Sequence, residues 1–138
     1  MQSWLSTYAR QGGALLVSGA YVGSDMTSQQ EQAFVADVLK CRYAGKDEDG
    51  NENVSGMGTT LSFYRQLSEQ HYAAQHPDIL QPVEGALAVM AYNDGYGAAV
   101  AYRDSNYGVF TMGFPFECIK SGEMKAAIMQ GILSYLIK

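Results

Sequence analysis

The feature that most constrains the fold is an uncharged apolar run, Ala14–Val17, which is followed by a glycine-rich turn and then by a helix signal. A continuous apolar run of this length is typical of a strand covered on both faces, as in a parallel sheet. The turn contains Gly19 and Gly23, and Ser28 and Glu31 have the spacing of a capping box. The order strand, turn and helix predicts an α/β domain with Ala14–Val17 inside the sheet.

Three helices are predicted from apolar periodicity. The first is short and amphipathic, begins after Ser3, includes Trp4, and stops at two glycines. The second ends near Lys40, and the third begins at Ser121 or Gly122. The residues expected on the buried faces of the second and third helices are Phe34, Val35, Val38, Leu39, Met124, Ile128, Ile132, Tyr135 and Leu136.

Between these helices, short apolar or alternating runs predict further strands. Ala86–Tyr92, Ala98–Tyr102 and Val109–Met112 are separated by turn residues and favour an antiparallel meander. A hairpin is predicted within residues 42–65 with Asp49-Gly50 as its turn, and residues 71–82 are predicted to be irregular or weakly helical. Together with the helices, these strands predict one three-layer α/β domain over residues 1–138. Because a helix precedes the first strand, we expect it to be the C-terminal part of a larger domain or protein.

Composition restricts the classes of partner. The net charge is −5 and the Lys and Arg residues are scattered, so nucleic acid is an unlikely ligand for this chain. The longest apolar stretches are far below the roughly 20 residues of a membrane-spanning helix, and we expect no membrane span. The two cysteines, Cys41 and Cys118, have neither disulfide-framework nor metal-site spacing. We therefore predict no metal and no cofactor.

The best candidate site is the turn after Ala14–Val17. Gly19-Ala20-Tyr21-Val22-Gly23 has the glycine-flanked shape of a nucleophile elbow, with Tyr21 at its centre. A tyrosine has a pKa of about 10 and is not easily activated, so a plain glycine turn is the simpler interpretation. Open α/β sheets bind ligands at this edge, and Tyr21, Ser24 and Asp25 are therefore predicted to be ligand-binding residues.

Other polar groups support simpler interpretations. Asp47, Asp49, Asn51 and Asn53 alternate, but the glycine does not occupy the position that a calcium loop needs, and the segment is predicted to be a solvated hairpin tip. The histidines, His71 and His76, are predicted to lie on the surface. Cys118 precedes the last helix, whose N-terminus could stabilise a thiolate, but a buried and inert thiol is favoured.

Three stretches carry a family resemblance: residues 8–19, the turn Gly19–Gly23, and Gly113-Phe114-Pro115-Phe116-Glu117 before the final helix. They resemble the C-terminal part of class I glutamine amidotransferase-like domains, as found at the C-terminal end of secreted Bacteroidetes proteins that are labelled xanthan lyases. The resemblance implies a flavodoxin-like fold. In that family a cysteine, a histidine and a glutamate form a catalytic triad, and these positions fall on Tyr21, Pro115 and Glu117 here.

Only Glu117 retains the residue type of the triad, so the resemblance implies a domain that is inactive as an amidotransferase. The predicted function is a non-catalytic accessory or interaction domain of a secreted polysaccharide-degrading protein, extracellular or periplasmic, that contacts neighbouring domains and a carbohydrate. Tyrosine-rich loops such as Tyr92–Tyr96 would stack on sugar rings. The alternative is a hydrolase or lyase with an acid/base site near Tyr21, Asp25 and Glu117. A third hypothesis is a structural cap for neighbouring domains, which would leave an exposed apolar patch.

Overall fold

The computed structural model describes residues 4, 5, 7, 8, 11–19, 28–47, 52–65, 73, 74 and 76–136. Within these residues the chain forms a mixed α/β fold of strands, two α-helices and one short 3₁₀ helix, Phe116–Cys118. The strands are β1 (Ala14–Ser18), β2 (Cys41–Lys46), β3 (Asn53–Gly56), β4 (Thr59–Ser62), β5 (Asp78–Pro82), β6 (Leu87–Tyr92), β7 (Gly97–Arg103) and β8 (Gly108–Met112). The α-helices are α1 (Gln29–Asp37) and α2 (Gly122–Leu136).

The main sheet has six strands in the order β1-β8-β7-β6-β3-β4. Strand β1 pairs with β8 in parallel, and the other neighbouring pairs in this sheet are antiparallel. The predicted meander is confirmed, because β6, β7 and β8 are successive antiparallel neighbours. The α/β class is therefore correct, whereas the flavodoxin-like three-layer arrangement is not confirmed.

The prediction that Ala14–Val17 lies inside the sheet is wrong for the described strands. Residues Ala14–Ser18 form β1, but this strand is at an edge of the sheet and pairs only with β8. Leu16, at its centre, is 37% exposed. An apolar run shows that a segment favours a strand, but it does not specify how many neighbours the strand has. Trp4 is helical as predicted, yet its side chain is largely exposed instead of packed on the core.

Two core clusters occupy the two sides of the main sheet. Side chains alternate along β7, so that Ala99 and Ala101 belong to one cluster and Val100 to the other. The first cluster includes Ile128, Ile132 and Leu136 of α2, and the second includes buried residues of α1 and its C-terminal turn: Phe34, Val35, Val38 and Leu39. The predicted buried faces of both helices are confirmed, with Met124 and Tyr135 only partly buried.

Local signals fixed where the helices begin. The Glu31 backbone N–H donates to Ser28 Oγ over 3.1 Å, and the Ser28 N–H donates to Glu31 Oε1 over 3.2 Å, which completes the predicted capping box. Ser121 caps α2, since its Oγ accepts a hydrogen bond from the Met124 N–H at 3.2 Å. Each cap satisfies backbone donors that the first helical turn leaves without intrahelical partners.

The predicted hairpin exists, but its strands and turn differ from the prediction. Strands β3 and β4 pair across a two-residue turn, Met57-Gly58, whereas Asp49 and Gly50 lie outside the described residues. Met57 has φ 53° and Gly58 has φ 80°, the pair of positive values that a type I′ hairpin turn requires. Asp-Gly is a common turn signal, whereas the left-handed conformation of Met57 is unfavourable for a residue with a side chain. The sequence therefore predicted the turn at the wrong residues.

The irregular structure predicted for residues 71–82 is wrong for Asp78–Pro82, which is strand β5, whereas the described residues 73, 74, 76 and 77 belong to no helix or strand. Strand β5 pairs antiparallel with β2 in a two-stranded ribbon. Two glycines seat this ribbon against the main sheet: a Cβ on Gly97 would lie 2.1 Å from the Leu80 carbonyl oxygen, and one on Gly113 would lie 2.2 Å from the Asp78 carbonyl oxygen. Pro77 immediately precedes β5 and Pro82 is its last residue, so neither proline lies in the interior of the strand.

Candidate functional site

The carboxyl ends of β1 and β8 lie side by side, as the sequence predicts for the ligand-binding edge of an α/β sheet. Val17 is in register with Thr111, and Ser18 with Met112. The Phe116 N–H donates to Ser18 Oγ over 3.2 Å. This hydrogen bond attaches the 3₁₀ turn after β8 to the end of β1, the strand that precedes the predicted turn.

Of the four predicted site residues, the structure describes only Glu117. Tyr21, Ser24 and Asp25 lie outside the described residues, and their role stays a prediction. Glu117 is in the 3₁₀ helix Phe116–Cys118, and its side chain is exposed to solvent. A solvent-exposed carboxylate at this edge can contact a ligand, but exposure to water does not by itself tune it as an acid or base.

Next to this edge lie three buried charged residues, Asp47, Arg65 and Asp78, and the partly exposed Lys46, which the sequence did not predict to meet. These four residues are called here the ion-pair cluster. Lys46 Nζ is 2.7 Å from Asp78 Oδ1, and Arg65 Nη2 is 3.4 Å from Asp47 Oδ2. Asp78 and Asp47 are 0% and 1% exposed. The Asp78 N–H donates to the Gly113 carbonyl at 2.8 Å, which places the cluster directly beside the end of β8.

Backbone contacts make the ion-pair cluster part of the fold. Arg65 Nη1 donates to the Asp47 carbonyl oxygen at 3.0 Å, and the Asp47 N–H donates to the Pro77 carbonyl at 2.9 Å. The prediction that Asp47 belongs to a solvated hairpin tip is therefore wrong. Asp47 alternates with other polar residues in the sequence, and a local pattern does not reveal a buried arginine that is distant in the chain.

Aromatic rings enclose the cationic side of the cluster. The Arg65 guanidinium carbon lies 5.1 Å from the Phe63 ring centroid and 5.8 Å from that of Tyr92. Phe63 stacks on Phe114 with centroids 4.8 Å apart. These contacts connect Arg65 to the segment Gly113–Glu117 and favour a desolvated guanidinium through cation–π attraction.

Tyr92 cannot stack on a sugar as the sequence analysis predicted. Its side chain is 2% exposed, and its hydroxyl donates to the Asp78 carbonyl oxygen at 2.6 Å. Burial, followed by the negative charge of Asp47, raises the pKa of Tyr92 well above its usual range. In the same loop, Tyr96 is 56% exposed and remains available to a ligand. Tyr92 and Tyr96 are four positions apart, but only Tyr96 has an exposed side chain.

The thiols are not activated. Cys41 and Cys118 are both buried and free. Burial, with a smaller contribution from the Asp78 carboxylate, raises the pKa of Cys41 to about 12. Burial, with a smaller contribution from Glu117, raises the pKa of Cys118 to about 11. The prediction that Cys118 is buried is confirmed, and its raised pKa disfavours the thiolate that a nucleophilic cysteine needs.

The chemistry of the ion-pair cluster is therefore structural in character. Asp47 and Asp78 each face a cation, whereas hydrolysis of a glycosidic bond by the usual route needs two carboxyl groups flanking the bond in an open cleft. Among the described residues, no three His, Cys, Asp or Glu side chains converge as a metal site would require. His76 is on the surface as predicted, and His71 lies outside the described part of the chain. No helix within the described ranges is both long and apolar enough to cross a membrane.

Comparison with known proteins gives matches to solved structures. No family model matches this sequence, and no curated protein matches it. A β-galactosidase from the Antarctic haloarchaeon Halorubrum lacusprofundi is 14% identical with a TM-score of 0.64, over 98% of this chain and 20% of that one. A GH42 β-galactosidase from G. stearothermophilus is 11% identical with a TM-score of 0.64, over 96% and 19%. An exo-β-1,4-mannosidase from Opitutaceae bacterium strain TAV5 is 14% identical with a TM-score of 0.58, over 95% and 21%.

These matches correct the family resemblance. The similar solved structures named above are glycosidases, and the prediction of a glutamine amidotransferase-like domain from xanthan lyase-type proteins is wrong. The resemblance depended on short glycine-containing turns such as Gly19–Gly23, which many strand ends share for the same steric reason. At such low identity the matches show the fold alone, and this chain spans about a fifth of the length of the solved chains that it matches.

Proposed function

We propose that this chain is a non-catalytic accessory domain of a larger carbohydrate-degrading protein, in which it packs against neighbouring domains. The observation that carries the proposal is the fold match, which covers 98% of this chain but only 20% of the Halorubrum lacusprofundi β-galactosidase. In that enzyme a unit of this shape accounts for a minor part of the polypeptide. Since one fold can serve many functions, this similarity supports a role that experiment has to test.

The ion-pair cluster supports the same role. Its carboxylates are held by Lys46 and Arg65 within the fold, and its tyrosine hydroxyl donates to a backbone carbonyl. A general acid or base must reach the substrate with a suitable pKa. The described residues instead use their buried charges to connect segments of the chain, as expected of a domain whose task is assembly.

The complete reading frame that encodes these residues provides the first test. We expect it to encode a carbohydrate-active catalytic domain on the same polypeptide, preceded by an export signal if the predicted extracellular or periplasmic location is correct. A frame without any such domain would contradict the accessory role. A catalytic domain without an export signal would contradict only the location.

The isolated chain provides the second test. Incubated with 4-nitrophenyl β-galactoside, 4-nitrophenyl β-mannoside and an acidic polysaccharide, it should release neither nitrophenol nor unsaturated uronate above the buffer rate. Turnover that Glu117→Gln or Tyr21→Phe abolishes would instead support the alternative of a hydrolase or lyase at the predicted edge. Glu84→Gln, which changes an exposed carboxylate elsewhere, is the matched control.

A further inference from the structure

A cavity of about 390 Å³ lies between the β3–β4 turn and helix α2. Its lining residues are Met57, Thr59, Ser121, Glu123, Met124, Ala127, Ile128 and Gly131. This volume lies within the range of small-ligand sites. The walls are mainly methionine, aliphatic and glycine surface, with two hydroxyls and one carboxylate as the polar groups.

Two residues whose backbone conformations are unfavourable, Met57 and Gly131, are in contact at the wall of this cavity. Met57 has φ 53°, a left-handed conformation that costs a residue with a side chain about 1 kcal/mol. Gly131 lies inside helix α2, where glycine is about 1 kcal/mol less favourable than alanine. A Cβ on Gly131 would lie 2.7 Å from Met57 Cε. The glycine at position 131 therefore leaves room for the end of the Met57 side chain, which packs on helix α2.

The carboxylate at the cavity favours a positively charged ligand. Glu123 is exposed at the start of α2, and the described residues that line the cavity include neither Lys nor Arg. The nearby ammonium of Lys120 is 2.5 Å from Glu52 and is thus engaged in another ion pair. A cation fits such a site better than an anion, because a carboxylate attracts an ammonium through a charge-assisted hydrogen bond.

The apolar walls select the shape of the ligand. Methionine side chains are flexible and adapt to a methylene chain. Lysine buries its aliphatic stem along apolar surface while its ammonium stays at a polar rim. Among the described residues, the cavity lining includes no aromatic ring on which a sugar could stack, and this disfavours a sugar ligand.

We propose that this cavity binds the side chain of a lysine from a neighbouring domain, with Met57 and Met124 along the methylene stem and Glu123 at the ammonium. This inference rests on the proposed accessory role, because a neighbouring domain supplies the lysine. It adds the location and the chemistry of one contact. The hydroxyls of Thr59 and Ser121 are the other polar groups at the rim that can accept a hydrogen bond from the ammonium.

The test uses n-pentylammonium chloride as a probe and the intact chain labelled with ¹³C at the methionine methyl groups. Among the seven methionines, the signals of Met57 and Met124, assigned from Met57→Leu and Met124→Leu, should shift and saturate. Glu123→Gln should weaken binding about three- to fivefold, the scale of an exposed ion pair. Glu84→Gln should leave binding unchanged.

1-Pentanol, which has the same chain and no charge, is the matched ligand control. It should bind more weakly than n-pentylammonium and be insensitive to Glu123→Gln. Equal binding of both ligands, or no shift at Met57 and Met124, would overturn the inference. If n-pentylammonium binds saturably but the reading frame lacks a catalytic domain, the cavity is a binding site and the accessory function is contradicted. If the reading frame encodes a catalytic domain but the methyl signals do not shift, the accessory function stands and the lysine site is contradicted.

Discussion

The β6–β8 meander and the β2–β5 ribbon are built on different principles. In the meander, successive strands pair through short turns, and Asp104 Oδ1 accepts hydrogen bonds from the Asn106 and Tyr107 N–H groups at 2.7 and 2.8 Å. In the ribbon, β2 and β5 are separated in the chain by β3 and β4, and Lys46 is in register with Asp78. The meander thus depends on local contacts, and the ribbon on buried contacts between distant residues.

This difference indicates where the fold is vulnerable. A polar group at an exposed turn can exchange its protein partner for water at little cost. A buried charge cannot, because its partner replaces hydration that is no longer available. We therefore expect substitutions in the ribbon to cost more than matched substitutions in the meander, and the following predictions test this order.

The largest effect is expected for Asp78→Asn. The substitution retains the side-chain shape but removes the carboxylate charge that at present lies 2.7 Å from the Lys46 ammonium. Breaking a buried ion pair from one side costs about 3 to 5 kcal/mol, and we expect the lower end because Lys46 is 20% exposed. Urea unfolding measures the change. Asp104→Asn in the meander turn is the control, and an equal loss in both variants would contradict the comparison.

A somewhat smaller loss is expected for Gly97→Ala, where the ribbon touches the meander. The added Cβ would lie 2.1 Å from the Leu80 carbonyl oxygen, so the β5 backbone has to move. Overpacking of this kind costs about 1 to 3 kcal/mol. Gly122→Ala has no atom within 4 Å of the new Cβ and should unfold at the same urea concentration as the parent or higher. Unchanged stability of Gly97→Ala would show that β5 is loosely attached.

Within the meander, Thr111→Val should stabilise the fold by about 1 kcal/mol. Thr111 is fully buried, and its Oγ1 has no hydrogen-bond partner in the described part of the chain. Burying an unsatisfied hydroxyl costs about 1 to 3 kcal/mol, and valine has nearly the same shape. Thermal unfolding should give a higher midpoint. A lower midpoint would indicate that the hydroxyl has a partner, such as a bound water molecule.

The smallest effect is the acid dependence of the Asp104 turn. The Tyr107 N–H, the Tyr102 hydroxyl and the Asn106 N–H hold the pKa of Asp104 below its usual range. A lowered folded-state pKa contributes stability above the unfolded-state pKa, about 3.9, and this contribution disappears as the pH falls through the folded-state value. The stability difference between the parent and Asp104→Asn should therefore shrink below about pH 4. A difference that stays constant would exclude this linkage.

The sequence predicted the elements whose causes are local. The capping box of Ser28 and Glu31, the start of the last helix at Gly122 and the three meander strands follow from residues within one turn or one hairpin, and all are observed. Their backbone hydrogen bonds join neighbours in the chain, so a short window contains the relevant information. The candidate site stays a prediction: Glu117 follows β8 as expected, Tyr21, Ser24 and Asp25 lie outside the described residues, and the sequence did not predict the ion-pair cluster.

The tertiary structure alone decided which distant segments meet. It placed β1 at an edge of the described sheet, made β5 a strand, and brought Asp47 next to Arg65. Each outcome depends on burial and on partners far away in the chain, which a local pattern does not encode. The residue type of Asp78 does not tell whether the side chain lies on the surface or in the core. Only packing determines whether its charge faces water or Lys46.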